Sequence, residues 1–155
     1  MAPLYQAVVH RGRAVHWYVE GAVPDTLDGR FDMIAAVLSL VLLRLEEADL
    51  RQESVFLTEL FIDDMEGQLR QIGVGDVVVG KQVGRMMSAL GGRLCAYRDG
   101  LAEGGDLGDA LRRNLYRGEA VDDGAVAQVE KELRHFAAAL KTTDPQALLA
   151  GQLPA

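Results

Sequence analysis

The chain has 155 residues, 49% of them hydrophobic and 25% charged, with a formal net charge of -7. That balance fits one soluble folded domain, excludes a disordered body, and argues against non-specific DNA binding by the molecule as a whole. The single cysteine, Cys95, excludes an intramolecular disulfide and suits a reducing compartment.

The opening MAPLYQAVVHRGR has no early basic region followed by an apolar core, so no secretory signal is expected. Leu4, Tyr5, Val8 and Val9 share one face of a first helix, which the pattern extends past Gly12 to Tyr18. Gly21 and Pro24 then break the chain, and Asp25 or Thr26 starts the next helix. That helix runs from Leu27 to about Ala48. Its centre, Met33 to Leu43, is apolar all round and should be buried on several sides. A bilayer span needs about twenty such residues, so no transmembrane segment is expected.

A further helix is predicted from Gln52 to Ile72, with Val55, Phe56, Leu60, Met65 and Leu69 inward and Glu53, Glu59, Asp63, Asp64 and Glu66 outward. A glycine-rich loop follows. From Gln82 to Leu101 the chain reads as helix again, with an apolar face of Val83, Met86, Met87, Leu90, Leu94 and Tyr97. Met86 and Met87 are neighbours on it, so one should pack inward while the other faces out. Lys81, Arg85, Arg93 and Arg98 make the rest of it basic. Cys95, between Leu94 and Ala96, is expected to pack. Shorter helices are predicted over Leu107–Tyr116, Asp123–Leu140 and Pro145–Leu149. The expected architecture is all-α, a single domain of about six packed helices over residues 1–150, with a loose tail from 151 to 155.

Two enzymatic readings can be weighed on their residues. GVGDVVVGKQ, residues 73–82, places Gly75, Gly80 and Lys81 as a phosphate-binding loop would. The following residue is Gln82, where that motif needs a hydroxyl for magnesium, and a helix rather than a buried strand precedes it. The glycines serve backbone geometry instead: Gly73 ends a helix, Gly75 and Asp76 turn, and Asp76 is a candidate cap. The second reading rests on FIDDMEGQ, which is similar to the D-D-x-x-D helix motif of prenyl-transferring enzymes. Glu59, Asp63 and Glu66 share a helix face. A magnesium-dependent enzyme acting on an isoprenoid or phosphate substrate is therefore the alternative function. Gly67 occupies the last acidic position of that motif. His10, His16 and His135 are scattered, without Cys or carboxylates at ligand spacing.

Three ordered motifs carry a more specific signal: PDTLDGRFDM at 24–33, LRQIGVGDVVVGKQVGRMM at 69–87, and GRLCAY at 92–97. Together they resemble the ubiquinol–cytochrome c chaperone family, from about Leu4 to LLAGQLP near the end. The resemblance implies an all-α protein, not an enzyme, with no cofactor. It would bind newly made cytochrome b during assembly of the ubiquinol–cytochrome c oxidoreductase complex. A ribosome contact and a small partner protein are known in mitochondrial members. Without a transit peptide, a bacterial member in the cytoplasm is expected. Carried over by position, Asp25, Arg30, Phe31 and Asp32 belong to the first motif. Asp63, Asp64, Leu69 and Arg70, then Gly73 to Asp76, Lys81 and Met86, belong to the second, and Arg93 and Tyr97 to the third.

The expected partner-binding residues are Arg30, Asp32, Asp63, Asp64, Arg70, Asp76, Lys81, Arg85, Arg93 and Tyr97. A ribosomal adaptor working through Lys81, Arg85, Arg93 and Arg98 is a further reading. Glu66 and Gln71 stand where the family usually has Asp and Glu, and Leu90-Gly91 where it has an aromatic pair. A shallow surface groove with Glu59, Asp63 and Asp64 in solvent would favour the chaperone. A deep apolar cavity lined by those acids would favour the enzyme.

Overall fold

The computed structural model describes residues 1–155. It contains helices only: α1 (Ala2–Gly12), α2 (Val15–Val19), α3 (Leu27–Glu47), α4 (Arg51–Gln71), α5 (Asp76–Leu101), α6 (Leu107–Asn114), α7 (Asp123–Lys141) and α8 (Pro145–Leu149). Two of these, α2 and α8, are five-residue turns, which leaves six longer helices in one packed domain.

Helix α3 is the axis of the fold. Thr26 caps it by accepting a hydrogen bond from the Gly29 amide at 3.1 Å, which satisfies one of the free donors of the first turn. From Met33 to Leu42 every residue is buried, because α1, α4, α5 and α7 all pack against it. At its other end Arg44 donates to the carbonyls of Leu140, at 2.8 Å, and Thr143, at 3.2 Å. A cation there completes the exposed C-terminal carbonyls of α7. Asp106 and Asp122 cap α6 and α7 in the same manner as Thr26.

Several expectations are corrected. The first helix ends at Gly12, and α2 begins after a break at Arg13 and Ala14. Packing on α1, α3 and α5 selects Leu57, Phe61, Ile62 and Met65 as the buried face of α4, whereas Val55 and Phe56 are exposed. The three valines of the glycine-rich stretch form the first turn of α5, which starts at Asp76. Gly75, not Asp76, is its N-cap. Cys95 is exposed, on the side of α5 opposite the packed residues. The last residues also differ from a free tail: Leu153 rests on the core and the Pro154 carbonyl accepts from Arg11.

The joint between α4 and α5 is therefore short, Ile72 to Gly75. Gly73 has φ +87°, the left-handed conformation that ends a helix with least strain when the residue lacks Cβ. Arg70 clamps the joint by pairing with Glu66, at 2.9 Å, and with Asp76 on the far side.

Candidate functional site

Three helix faces converge on an open groove of about 540 Å³. The start of α3 contributes Leu27, Asp28, Arg30, Phe31 and Ile34. The end of α4 contributes Met65, Gln68, Leu69, Gln71 and Ile72. The middle of α5 contributes Gln82, Arg85, Met86, Ala89 and Arg93. These positions recur every three or four residues, the spacing that puts side chains on one helix face. Arg13, just after α1, and Arg117, just after α6, close the ends.

The groove is apolar in its floor, where Ile34 and Met65 are buried, and arginines and exposed aliphatic side chains share its edges. Leu27 is 56% exposed and Ile72 65% exposed, although both are large aliphatic residues. Phe31 packs on Phe61 with ring centroids 5.4 Å apart. Five arginines line the groove against one acid, Asp28. In a chain with a net charge of -7, that concentrates positive charge in one place.

Behind the groove lies a buried charge cluster. Asp32 is 1% exposed and accepts from Arg93 at 2.9 Å and from Arg117 at 2.6 and 3.1 Å. Arg117 also reaches Asp28 at 3.4 Å. The hydrogen bonds to Asp32 hold the Arg117 guanidinium above the usual arginine range. Arg93 further contacts the Ala89 carbonyl at 3.3 Å and lies 5.9 Å from the centre of the Phe31 ring. Tyr97 is fully buried nearby, and its hydroxyl has no hydrogen-bond partner. Burial pushes its pKa upward, with the positive charge of Arg93 opposing. Tyr116 donates to the Gly21 carbonyl at 2.5 Å, and burial raises it to about 12.

The structure divides the residues singled out in the sequence. Arg30, Arg85 and Arg93 line the groove. Asp32 and Tyr97 do not reach the surface, because each is enclosed by α3 and α5 packing, so they shape the groove from behind. Arg30 pairs with Asp25 at 2.8 Å, both exposed. Lys81, Asp63 and Asp76 are exposed outside the groove lining. Asp64 is half-buried, accepting from Tyr5 at 2.5 Å and Gln68 at 3.2 Å. It ties α4 to α1, and Tyr5 is pushed upward by burial and by this bond. Glu59 and Asp63 face solvent, and nowhere do three His, Cys, Asp or Glu side chains converge to hold a metal. Arg13 and Arg117 carried no sequence signal, since neither belongs to a local motif.

A second cavity, of about 440 Å³, lies between the ends of α3 and α5 and helix α7. None of the three sequence motifs contributes to it apart from their flank at Arg98, which pairs with Glu46 at 2.7 Å. The motifs converge on the first groove.

Residues 20–155 match the family model described as ubiquinol-cytochrome C chaperone. The chain belongs to that family. The match spans the cluster behind the groove and every residue of the groove lining except Arg13. Among solved structures, this chaperone-family chain is similar to the crystal structure of the Cbp3 homolog from Brucella abortus. The TM-score is 0.83 and the sequence identity 26%, over 98% of this chain and 86% of that one. No curated protein matches. No helix is long and apolar enough to cross a membrane.

Proposed function

We propose that this chain is a non-enzymatic chaperone that holds newly made cytochrome b, or an intermediate containing it, during assembly of the ubiquinol–cytochrome c oxidoreductase complex. The observation that carries this reading is the convergence of motif residues Arg30, Phe31, Leu69, Met86 and Arg93 on one groove with exposed aliphatic residues at its edge. A protein that shields an unassembled membrane subunit needs accessible apolar surface, and Met86 supplies an adaptable contact within it. The solvated positions of Glu59 and Asp63 favour this reading over diphosphate chemistry.

Purification of the tagged chain from a respiring cell that encodes it, followed by mass spectrometry, tests the proposal. Cytochrome b or its assembly partners should be enriched. Their absence, with tight magnesium or diphosphate binding by the pure protein, reassigns the chain to the enzyme class. A ribosome contact and a cytoplasmic site of action belong to the same reading. Lys81 and Arg98, exposed on α5, are the residues through which ribosome binding would run, with strong salt dependence.

A further inference from the structure

The thirteen arginines of the chain are not equally engaged. Nine form ion pairs: Arg30, Arg51, Arg70, Arg93, Arg98, Arg112, Arg113, Arg117 and Arg134. Arg11 and Arg44 donate to backbone carbonyls. That leaves Arg13 and Arg85, which have neither an ion pair nor a side-chain hydrogen bond, and both line the groove. Its five guanidiniums meet three carboxylates, Asp25, Asp28 and Asp32, all taken up by Arg30, Arg93 and Arg117. The groove therefore presents two uncompensated cations above an apolar floor.

We infer that the groove takes an acidic amphipathic segment of a partner protein, whose apolar side chains seat on Phe31, Leu69 and Met86 and whose carboxylates meet Arg13 and Arg85. The inference rests on the chaperone reading and names the chemistry of the bound segment. Charge complementarity selects the occupant. A neutral or basic segment would leave two guanidiniums unpaired or repelled, whereas Asp or Glu completes them with charge-assisted hydrogen bonds. Concavity favours a protein segment over a membrane. Side chains can enter a groove of about 540 Å³ and reach its floor, while a lipid surface meets only the rim. Two such pairs near solvent should together change affinity by about tenfold. Salt should weaken the acidic preference without removing the apolar contribution.

The test is selection of a displayed library of random 16-residue peptides on the full-length chain and on its R13Q/R85Q double variant. The wild type should enrich peptides that combine a 3–4-spaced apolar stripe with flanking Asp or Glu. Changing those acids to their amides should weaken the best peptide by about tenfold. R13Q/R85Q should show the same loss while keeping the wild-type unfolding temperature, since neither arginine is bonded within the fold. Four results overturn the inference: no binders, no acidic enrichment, an unchanged acidic preference on R13Q/R85Q, or binding to phosphatidylglycerol vesicles that displaces the peptides and requires both arginines. The last reassigns the groove to anionic lipid. Purification of both forms from cells separates the two proposals. Equal capture of complex components by wild type and R13Q/R85Q removes the acidic-segment inference alone. No capture by the wild type removes the chaperone reading itself.

Discussion

Asp32 Oδ2 accepts from Arg117 Nε at 2.6 Å across 85 residues of sequence, while its Oδ1 accepts from Arg93 at 2.9 Å. One carboxylate thus joins α3, α5 and the segment after α6 behind the groove. Its value is geometric as much as energetic. It fixes two of the arginines that line the groove, Arg93 and Arg117.

Asp32→Asn should lower stability by about 3 kcal/mol, because it leaves the nearly buried Arg93 without a carboxylate and Arg117 with only its pair to Asp28. Arg93→Ala should also cost stability, as the side chain is only 12% exposed. Arg30→Ala breaks only an exposed pair with Asp25 and should leave stability nearly unchanged. Urea unfolding of the three variants checks the order. Equal stability of Asp32→Asn and Arg30→Ala would contradict the enclosed geometry of the cluster.

Tyr97 invites a prediction of the opposite sign. Its hydroxyl is buried without a protein partner, so Tyr97→Phe should stabilise the chain by about 1 kcal/mol. Alkali provides a second readout. Burial raises the folded pKa of Tyr97, Tyr5 and Tyr116, the last to about 12, against about 10 in an unfolded chain. The folded state then keeps these protons while the unfolded state loses them. Their contribution is complete below pH 10 and declines as pH rises toward the folded values. Unfolding temperature measured from pH 8 to 11.5 should fall above pH 10, and fall less in Tyr97→Phe. A variant that is less stable at pH 7 would show that the hydroxyl is satisfied after all.

Local chemistry made most helix boundaries legible in the sequence. Thr26, Asp122 and Pro145 sit at helix starts, and Gly73 past an end, because capping and φ preferences act within a few residues. The face of α4 was harder to read. Apolar residues occur at both Val55, Phe56 and Leu60 and at Leu57, Phe61 and Met65, and periodicity alone does not say which set meets α1 and α3. The groove was legible only as three separate motifs. Arg13 and Arg117 enter it through tertiary packing, with no nearby residue to mark them.

Glycine substitutions distinguish close packing from open helix surface. At Gly29 a Cβ would lie 1.8 Å from the Pro24 carbonyl oxygen, so Gly29→Ala must displace the turn before α3. A loss of about 2 kcal/mol is expected. Gly84 and Gly91 lie within α5, where an added Cβ meets nothing within 4 Å. Gly84→Ala and Gly91→Ala should each stabilise the chain by roughly 0.5–1 kcal/mol, through the lower backbone freedom of alanine in the unfolded state. Thermal unfolding of the three single variants decides the matter, and a destabilised Gly84→Ala would place hidden contacts on that face.

The exposed aliphatic edge of the groove can be separated from the fold itself. Ile72 and Leu27 have little to lose on truncation within the free chain, so Ile72→Ser and Leu27→Ser should each shift stability by no more than about 0.5 kcal/mol. If the groove binds the client, the same changes should reduce capture of complex components several-fold. Val15 is 71% exposed on α2 and outside the groove, which makes Val15→Ser the matched control for lost surface hydrophobicity. Reduced capture by all three variants would point to general stickiness, whereas reduced capture by the groove pair alone locates the contact. Full capture by Ile72→Ser and Leu27→Ser would move the client surface away from the meeting of α3, α4 and α5.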